Sequence, residues 1–600
     1  MATPPARSMP YRGNLCPFNY ARMYSTGSGI VCYISSYSYL GDPSFVVMRK
    51  RFLDEFDKLW FDCMNGDSRE TGKLTPEGKP DPSVFSTESN REGIRLGTAI
   101  TMIVRKPKRE RTAQILFRNF WGTNKRADLL QSVDKEDFGK DYERVSPGRS
   151  NRYSYRPLAV TPLYEAWPKL VEFCGVTPIS GLQEMRHGGL LDINRQALEH
   201  RVRTYFDAEA DWDTLKSLDS GLTRNAGGYD AKRCRSNAVA REKYDSGNIK
   251  PYALYPMDSR WCYYTRVPTL WNRPRPELAV HNWQGNIFVA TRRMAERPDE
   301  GVPITVTRYL PDYHLLRPNV VAMPIHVQDA PSTTDGDQQG LLIESPRRPP
   351  APPKANLSAA ARAYLANLGS VNPDSNVEAA DLVWMHTLAV GYSPAYLAEN
   401  ADGIRQDWPR IPLPDTEKAL LASTALGRQI VALLDTETDV GAVREPPLPG
   451  IATFILQSGM TLNEAEHFAV TAGWGHPGQG GVTMPGKGKI IDRDYNPKER
   501  ASFGEAIKLL GERTCDVYLN EFAYWSNIPL RVWEYTIGGY QVMKKWLSYR
   551  EEKLLGRPLT KDEVRYVQEM ARRIAALLLL EPALDSNYQN VKAHTFPWKG

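Results

Sequence analysis

Residues 28–40, SGIVCYISSYSYL, begin with a short apolar run rich in β-branched residues, which predicts a buried strand. A Gly-Asp-Pro turn at 41–43 follows, and residues 44–58 then repeat apolar side chains at helical spacing. Two further apolar runs, LWFDC at 59–63 and LGTAITMIV at 96–104, predict two more strands. Strand, helix, strand, loop and strand are the order of part of an α/β domain, with too few strands for a whole one.

The composition of the 600 residues indicates a folded protein, since 41% of them are aliphatic, aromatic or sulfur-containing. The 76 Lys and Arg against 70 Asp and Glu leave a net charge of +6, which permits a polyanionic partner without requiring one. The seven cysteines include no CxxC pair, which argues against a zinc ribbon or a disulfide scaffold and favours a cytoplasmic setting. The first residues lack a signal-peptide pattern, and the apolar run at 574–580 is too short to span a bilayer, so we expect no membrane association.

Composition divides the chain into four stretches. Residues 1–115 contain the α/β segment described above. Residues 116–330 alternate helical patterns with short β-like runs, which predicts a second α/β unit. Residues 331–356 are polar and then proline-rich, as in an interdomain linker. Residues 357–600 are mainly helical in pattern.

Familiar catalytic and metal-binding motifs are missing from the sequence. The glycine-rich segment 473–489 fails as a phosphate-binding loop because Lys487 is followed by glycine and no apolar strand precedes it. The nine histidines form no HExxH pair and no GxSxG elbow occurs, so we predict no metal site and no catalytic residue.

Basic and aromatic residues are concentrated in two stretches. Residues 105–126 hold eight Lys or Arg against one acidic residue, and residues 252–278 place arginines among tyrosines and tryptophans. Arginine forks suit phosphates and guanine edges, and aromatic rings can stack on bases. An ordinary β core with arginines on its rim has the same composition, and the residues alone do not decide between the two interpretations.

Seven long phrases, in order along the chain, carry a family resemblance. They are EHRVRTYFDAEADWDTL (199–215), GYDAKRCRS (228–236), DSRWCYYT (258–265), RPRPELAVHN (273–282), YSPAYLAENADGIRQDWPRIPLP (392–414), VTAGWGHPGQGGVTMPGKGKI (470–490) and VWEYTIGGYQVMKKWLSYRE (532–551). They resemble the target-recognition region and the C-terminal specificity domain of Type ISP restriction–modification enzymes. The resemblance covers roughly residues 28 to 585.

The resemblance implies an origin in a γ-type methyltransferase, which transfers a methyl group from S-adenosylmethionine to adenine N6 of DNA. In that family the donor binds at a glycine-containing strand-to-helix turn, and the catalytic loop reads Asn-Pro-Pro-Tyr or Asn-Pro-Pro-Phe. This sequence contains neither, and its match begins just after the place of that loop. We therefore expect no cofactor in this chain alone; S-adenosylmethionine would bind only if a separate polypeptide supplied the missing half. The resemblance also places the rim of an adenine pocket at Ser35, Ser36, Tyr39 and Phe85.

The predicted fold class is α/β, with a partial methyltransferase (Rossmann-like) sheet, an α/β target-recognition domain and a mainly helical C-terminal specificity domain. The predicted function is sequence-specific recognition of double-stranded DNA. The predicted DNA contacts are Lys125, Arg126, Arg233, Arg235, Arg260, Trp261, Tyr263, Tyr264, Arg266, Arg273 and Arg275.

Three alternatives stay open. The chain is one half of a split adenine methyltransferase completed by a partner polypeptide, it is a fragment of a gene whose catalytic half lies upstream, or it is a protein-binding scaffold of a phage-defence system.

Overall fold

The computed structural model describes residues 27–598 except 69–70, 111, 150, 159, 219, 266–269, 296–299, 329–351, 370–371, 437–449 and 479–482. The chain divides into two compact units, Met1–Ala159 (unit 1) and Val160–Gly600 (unit 2).

Unit 1 is built on a five-stranded sheet. Its strands are β1 (Gly29–Ser36), β2 (Lys58–Asn65), β3 (Thr98–Arg105), β4 (Gln114–Asn119) and β5 (Glu143–Val145), in the spatial order β1-β3-β2-β4-β5. Its helices are α1 (Val46–Glu55) and α2 (Lys125–Val133). Strands β2 and β4 are parallel, and the other neighbouring pairs are antiparallel. The predicted order of strand, helix, strand and strand is confirmed, whereas the origin of the sheet in a methyltransferase stays a prediction.

Strand alternation explains where the core of unit 1 lies. Leu59 and Phe61 on β2 and Ile103 on β3 point to one face and are at most 1% exposed, and Phe52 of α1 packs in the same cluster. The predicted domain boundary between residues 115 and 116 falls inside β4, which pairs with β2 from Lys58↔Gln114 to Cys63↔Asn119. Because backbone pairing joins those residues to the sheet, unit 1 extends to residue 159.

The first half of unit 2 contains two four-stranded sheets, in the spatial orders β12-β8-β9-β7 and β11-β10-β13-β6. Their strands are β6 (Ile179–Ser180), β7 (Leu191–Asp192), β8 (Ile249–Tyr255), β9 (Asp258–Tyr263), β10 (Phe288–Arg292), β11 (Ile304–Thr307), β12 (Leu310–Pro311) and β13 (Val320–Pro324). The helices of this half are α3 (Pro162–Ala166), α4 (Arg195–Phe206), α5 (Trp212–Ser217), α6 (Ala231–Arg241) and α7 (Pro276–Ala279).

The second half of unit 2 combines helices with a further sheet. The helices are α8 (Ala359–Asn367), α9 (Val377–Gly391), α10 (Pro394–Glu399), α11 (Ala401–Gln406), α12 (Glu417–Leu434), α13 (Glu464–His467), α14 (Pro497–Phe503), α15 (Ile507–Leu510), α16 (Leu530–Trp533), α17 (Val542–Ser548), α18 (Glu552–Leu555) and α19 (Lys561–Ala593). The strands are β14 (His326–Val327), β15 (Lys354–Ala355), β16 (Thr453–Leu456), β17 (Gly475–Pro477), β18 (Thr483–Pro485), β19 (Ile490–Asp494), β20 (Arg513–Tyr518), β21 (Ala523–Pro529), β22 (Thr536–Ile537) and β23 (Tyr540–Gln541). Strands β16, β21, β20 and β19 form a sheet that the sequence did not predict.

One hydrophobic core spans both halves of unit 2. Trp167 and Met323 from the first half share a cluster with Trp384, Trp525 and Ile574 from the second. The predicted target-recognition and specificity regions are therefore packed as one body. Most of the predicted linker, up to residue 351, lies outside the described residues.

Candidate nucleic-acid interface

The aromatic side chains of the 252–278 stretch belong largely to a core. Tyr263 and Tyr264, at 0% and 7% exposure, lie in the second hydrophobic cluster of unit 2, and Trp271 beside them donates its indole N–H to the Tyr263 carbonyl at 2.9 Å. Trp261 is half-buried, and the Arg195 guanidinium lies 5.2 Å from its ring centroid. Burial of Tyr263 and Tyr264 argues against their predicted stacking on DNA bases.

Arg260 belongs to a buried ionic cluster. Its Nη2 lies 2.9 Å from Asp258 Oδ2, and Arg550 Nη2 lies 2.9 Å from Asp258 Oδ1; the three side chains are 9%, 1% and 4% exposed. Burial alone would raise the pKa of the Asp258 carboxyl, but the two guanidiniums hold that pKa below its usual range. The cluster joins strand β9 to the end of helix α17, so Arg260 braces the fold and is a poor candidate for a DNA contact.

Two other predicted contacts also have internal partners. Lys125 is 2% exposed, with Nζ 2.7 Å from both Asp81 Oδ1 and the Met64 carbonyl. Arg235 donates from Nε to the Tyr205 carbonyl at 3.2 Å and from Nη2 to the Ala210 carbonyl at 3.0 Å. The prediction that Lys125 binds a DNA phosphate is corrected, because its ammonium group is buried in an ion pair.

Arg126, Arg233 and Arg273 are exposed, and their DNA contacts stay predictions. Arg275 is half-buried at the start of α7, with the left-handed φ of +48° and its Nη1 3.6 Å from Glu277. Arg266 lies outside the described residues.

Arg273 belongs to a group of three neighbouring loops at residues 183–190, 220–230 and 271–275, here called the three-loop surface. The backbones of Gln183 and Arg273 exchange two hydrogen bonds of 3.1 and 2.9 Å, which join the first loop to the third. Gly221 of the second loop approaches the Arg186 carbonyl so closely that a Cβ would lie 1.9 Å from that oxygen. The Arg186 guanidinium lies over the Tyr229 ring at 3.9 Å.

Glu184 organises the first loop from inside. Its carboxylate accepts hydrogen bonds from the backbone N–H groups of Arg186 (3.2 Å), Gly188 (2.9 Å) and Leu190 (2.8 Å), and the residue is 6% exposed. Burial raises the pKa of Glu184, although the three backbone donors act in the opposite direction. An acceptor at this position therefore fixes the shape of a loop in which Met185 and His187 face solvent.

The outward side chains of this surface suit recognition of polar edges. The exposed side chains are Met185, His187, Arg224, Asn225, Asp230, Asn272 and Arg273. Met185 and His187 have φ of +56° and +50°, a strained conformation for residues with a side chain that is found often at binding sites. The second loop runs into α6, where Lys232, Arg233 and Arg241 are exposed. The sequence did not indicate Glu184 or Met185 as functional residues, because neither a positive φ nor the burial of a carboxylate can be recognised from residue types alone.

The predicted adenine-pocket rim is only partly at the surface of unit 1. Ser35 and Ser36 are half-buried, and Ser36 caps the 3-10 turn Tyr37–Leu40. Tyr39 is 6% exposed and hydrogen-bonds Thr101 in the core, so its predicted place at a rim is corrected. Phe85 is 42% exposed, and its approach to a flipped base stays a prediction.

The connection from β1 to α1 runs through the 3-10 turns Tyr37–Leu40 and Pro43–Phe45, capped by Ser36 and Asp42. The expectation that this chain alone binds no cofactor stays a prediction. Throughout the described ranges, no three His, Cys, Asp or Glu side chains are grouped to hold a metal ion. No helix in the same ranges has the length and apolar character needed to cross a membrane.

The sequence matches the profile of a known protein family. The profile of the Type ISP C-terminal specificity domain family matches residues 179–577. No curated protein matches the chain in sequence.

Three solved structures share the fold. The nuclease-deletion mutant of the Type ISP restriction–modification enzyme LlaGI, in complex with a DNA substrate mimic, is 15% identical, with a TM-score of 0.56 over 93% of this chain and 46% of that one. The ATP-dependent Type ISP enzyme LlaBIII bound to DNA is 11% identical, with a TM-score of 0.60 over 95% and 33%. The DrdV–DNA complex is 16% identical, with a TM-score of 0.56 over 97% and 52%. This chain thus spans a third to about half of the chains it matches.

Proposed function

Since this chain belongs to the Type ISP C-terminal specificity domain family, we propose that it recognises double-stranded DNA as the specificity part of a restriction–modification system. The three-loop surface reads base edges, and helix α6 beside it holds phosphates. The similar solved structures, which are bound to DNA or to a DNA mimic, support the proposal.

The observation that carries the proposal is the chemistry of the three-loop surface. Arg273 and Asn272 present guanidinium and amide groups of the kind that pair with the major-groove edges of guanine and adenine, and the Asn272 amide also donates to Gln183 Oε1 at 3.2 Å. The Asn225 amide oxygen accepts the backbone N–H of Ala231 at 2.9 Å, at the start of α6. Glu184 holds the first loop in one conformation, which reduces the conformational entropy lost on binding. Lys232, Arg233 and Arg241 on α6 supply sequence-independent affinity for phosphates.

The first prediction concerns the dependence of duplex binding on salt concentration. In titrations of the full chain with a labelled random duplex, we expect affinity to fall by about one order of magnitude or more between roughly 50 and 200 mM salt. Arg233→Gln should reduce the slope of log K against log salt by about 1, because one phosphate contact is lost. Arg565→Gln is the control because it removes the same charge from an exposed site on α19, and it should bind duplex DNA as the wild type does. A chain with no duplex binding at micromolar protein and about 50 mM salt would refute the proposal and favour the protein-binding scaffold.

The second prediction concerns sequence reading. Glu184→Gln replaces one acceptor oxygen by a donor facing backbone N–H groups, so we expect the 183–190 loop to lose its shape. In selection from a random duplex library, this variant should enrich its preferred sequence at least about tenfold less than the wild type, as expected for roughly 1–3 kcal/mol of base discrimination. Its affinity for random duplex should change little, because α6 is intact. If the variant selects the same sequence as the wild type, the three-loop surface does not read the bases.

A second candidate function is supported by unit 1. We propose that the chain also serves as one half of a split adenine-N6 methyltransferase, whose donor-binding half is a separate polypeptide. The supporting observation is the open edge of β1, which among the described residues pairs on one side, with β3.

A further inference from the structure

The sheet of β16, β21, β20 and β19 has one face in the core and one face that meets solvent. On the core face, Cys515 and Val517 of β20 and Trp525 of β21 are 0% exposed, and the Trp525 indole N–H donates to the Val564 carbonyl of α19 at 3.2 Å. The side chains that alternate with these point the other way and form a surface here called the tyrosine face. Its half-buried and exposed members are Thr453, Ile455, Lys489, Ile491, Arg493, Tyr518, Tyr524 and Ser526.

Two stacked tyrosines lie at the centre of the tyrosine face. Tyr518 of β20 and Tyr524 of β21 are direct neighbours in the register of the two central strands. Their ring centroids are 4.9 Å apart, with an angle of 20° between the ring planes. Ile455 of β16 lies beside Tyr524, and Ile491 of β19 is 45% exposed. The centre of the face is therefore aromatic and apolar, whereas the solvent side of an antiparallel sheet usually carries polar side chains.

The carboxylates of these strands are already paired. Asp516 of β20 and Glu499 of α14 both bind Arg493, at 2.9 and 2.8 Å. On β19, Asp492 and Asp494 both pair with Arg513, at 2.9 and 3.0 Å. These four carboxylates are therefore neutralised by the two arginines.

Lys489 is a cation without a counter-ion. Among the residues that the structure describes, no carboxylate lies within ion-pair distance of its ammonium group, and its Nζ lies 4.2 Å from the centroid of the Tyr518 ring. Lys487, two positions earlier, is exposed, and the turn from β20 to β21 carries the exposed Glu521. The tyrosine face thus offers a ligand two aromatic rings and an uncompensated positive charge at their side.

This combination suits one class of ligand. Proteins that bind single-stranded nucleic acid join aromatic side chains, on which bases stack, to positive charges that hold phosphates. In one common module of this kind the stacking aromatics stand on a four-stranded sheet. A cross-strand aromatic pair also stabilises a sheet by itself, but that role does not account for a lysine left without a counter-ion over the ring.

We propose that the tyrosine face binds single-stranded DNA, by stacking an unpaired base on Tyr518 and holding the adjacent phosphate with Lys489. Tyr524 covers one side of the Tyr518 ring, and Lys489, which follows the opposite edge of β20, covers the other side. The cation–π contact of an exposed lysine is weaker than the stacking of a base on an aromatic ring. A base therefore displaces the ammonium group, which moves to the phosphate. Bases in a duplex are covered on both sides by their neighbours, so duplex DNA does not enter this site.

Fluorescence anisotropy of a labelled oligodeoxythymidylate of about ten nucleotides, with the full 600-residue chain, tests the proposal. We expect binding at micromolar protein and low salt that excess random duplex does not abolish. Tyr518→Leu keeps an apolar side chain and removes the ring, and it should weaken binding by about tenfold. Tyr518→Phe keeps the ring and should bind as the wild type does.

A second pair of variants tests the phosphate contact. Lys489→Gln should weaken binding of the oligonucleotide and lower the slope of log K against log salt by about 0.7, the value for one contact to a single strand. Lys553→Gln is the matched control, because it removes the same charge from an exposed site on α18, and it should change neither quantity.

Photocrosslinking locates the bound strand without any substitution in the protein. An oligonucleotide that carries 5-iododeoxyuridine should crosslink to the tryptic peptide 514–531, which contains both Tyr518 and Tyr524. Crosslinks confined to other peptides, or equal affinity of the wild type and Tyr518→Leu, would overturn the proposal. So would a chain that shows neither binding nor crosslinks at micromolar protein.

Two other results would also overturn the assignment. Full competition by random duplex would place the oligonucleotide on the duplex-binding surface. An RNA of the same length that binds about tenfold more tightly than the DNA would assign the tyrosine face to RNA, which proteins distinguish by its 2′-hydroxyl groups. Duplex binding is measured in the same preparations, so a failure of single-strand binding leaves the duplex-recognition proposal standing, and the reverse also holds.

Discussion

Asp258→Ala is expected to lower the free energy of unfolding of unit 2 by roughly 3–5 kcal/mol, the usual cost of removing one partner from a buried ionic group. The carboxylate accepts hydrogen bonds from Arg260 and Arg550, which are both almost completely buried. Without the carboxylate, the two guanidiniums repel each other in a region of low dielectric constant. Denaturant unfolding, followed by hydrogen exchange of peptides from unit 2, measures the change.

The control for this variant is Asp213→Ala. Asp213 is 90% exposed and pairs with Lys216 on α5, so its loss should change stability by no more than about 0.5 kcal/mol. Equal effects of the two variants would contradict a bracing role for Asp258.

The contribution of Asp258 to the stability of unit 2 depends on pH. The folded pKa of Asp258 lies below its usual range, so the carboxylate's contribution is fully present above the unfolded pKa of about 3.9. It is lost as the pH falls through the lower folded pKa. The difference in stability between the wild type and Asp258→Ala should therefore be constant near neutral pH and shrink below about pH 4.

Local patterns predicted the parts of the fold that depend on neighbouring residues. The apolar run at 28–40 predicted β1, and the helical spacing at 44–58 predicted α1, because periodicity reports which face of an element is buried. In the sheet around β20, the edge strand β19 was missed because it reads IIDRD and is largely exposed, so it has no buried face that a periodic pattern could show.

The site residues depended on partners that lie far away in sequence. Arg260 and Arg273 occupy similar aromatic surroundings in the sequence, yet the Arg260 side chain is 9% exposed whereas Arg273 is exposed. Arg260 shares Asp258 with Arg550, which lies 292 positions after Asp258 in the sequence. Composition shows which residue types are present, whereas pairing over such distances decides which of them face solvent.

Lys125 and Arg126 are adjacent basic residues, one buried and one exposed. Of the two, Lys125→Met is expected to change the stability of unit 1 more. Lys125 and Asp81 form a pair at 2% and 0% exposure, and Asp81 also accepts the backbone N–H groups of Gly66 and Gly122 at 2.7 Å each. The pair thus ties the end of β2 to the segment that follows β4. Methionine keeps the volume of the lysine stem but leaves the Asp81 carboxylate without its cation, which should cost unit 1 roughly 3–5 kcal/mol.

Arg126→Gln is the matched control because Arg126 is exposed on the same helix. We expect it to leave the unfolding midpoint of unit 1 unchanged and, if Arg126 touches a phosphate, to lower the salt slope of duplex binding by about 1. Lys125→Met should do the reverse, with a destabilised unit 1 and an unaltered salt slope at temperatures where the variant is folded. A Lys125→Met protein of normal stability that binds duplex with a reduced salt slope would restore Lys125 as a phosphate contact. The two measurements together therefore separate a basic residue that holds the fold from one that faces the nucleic acid.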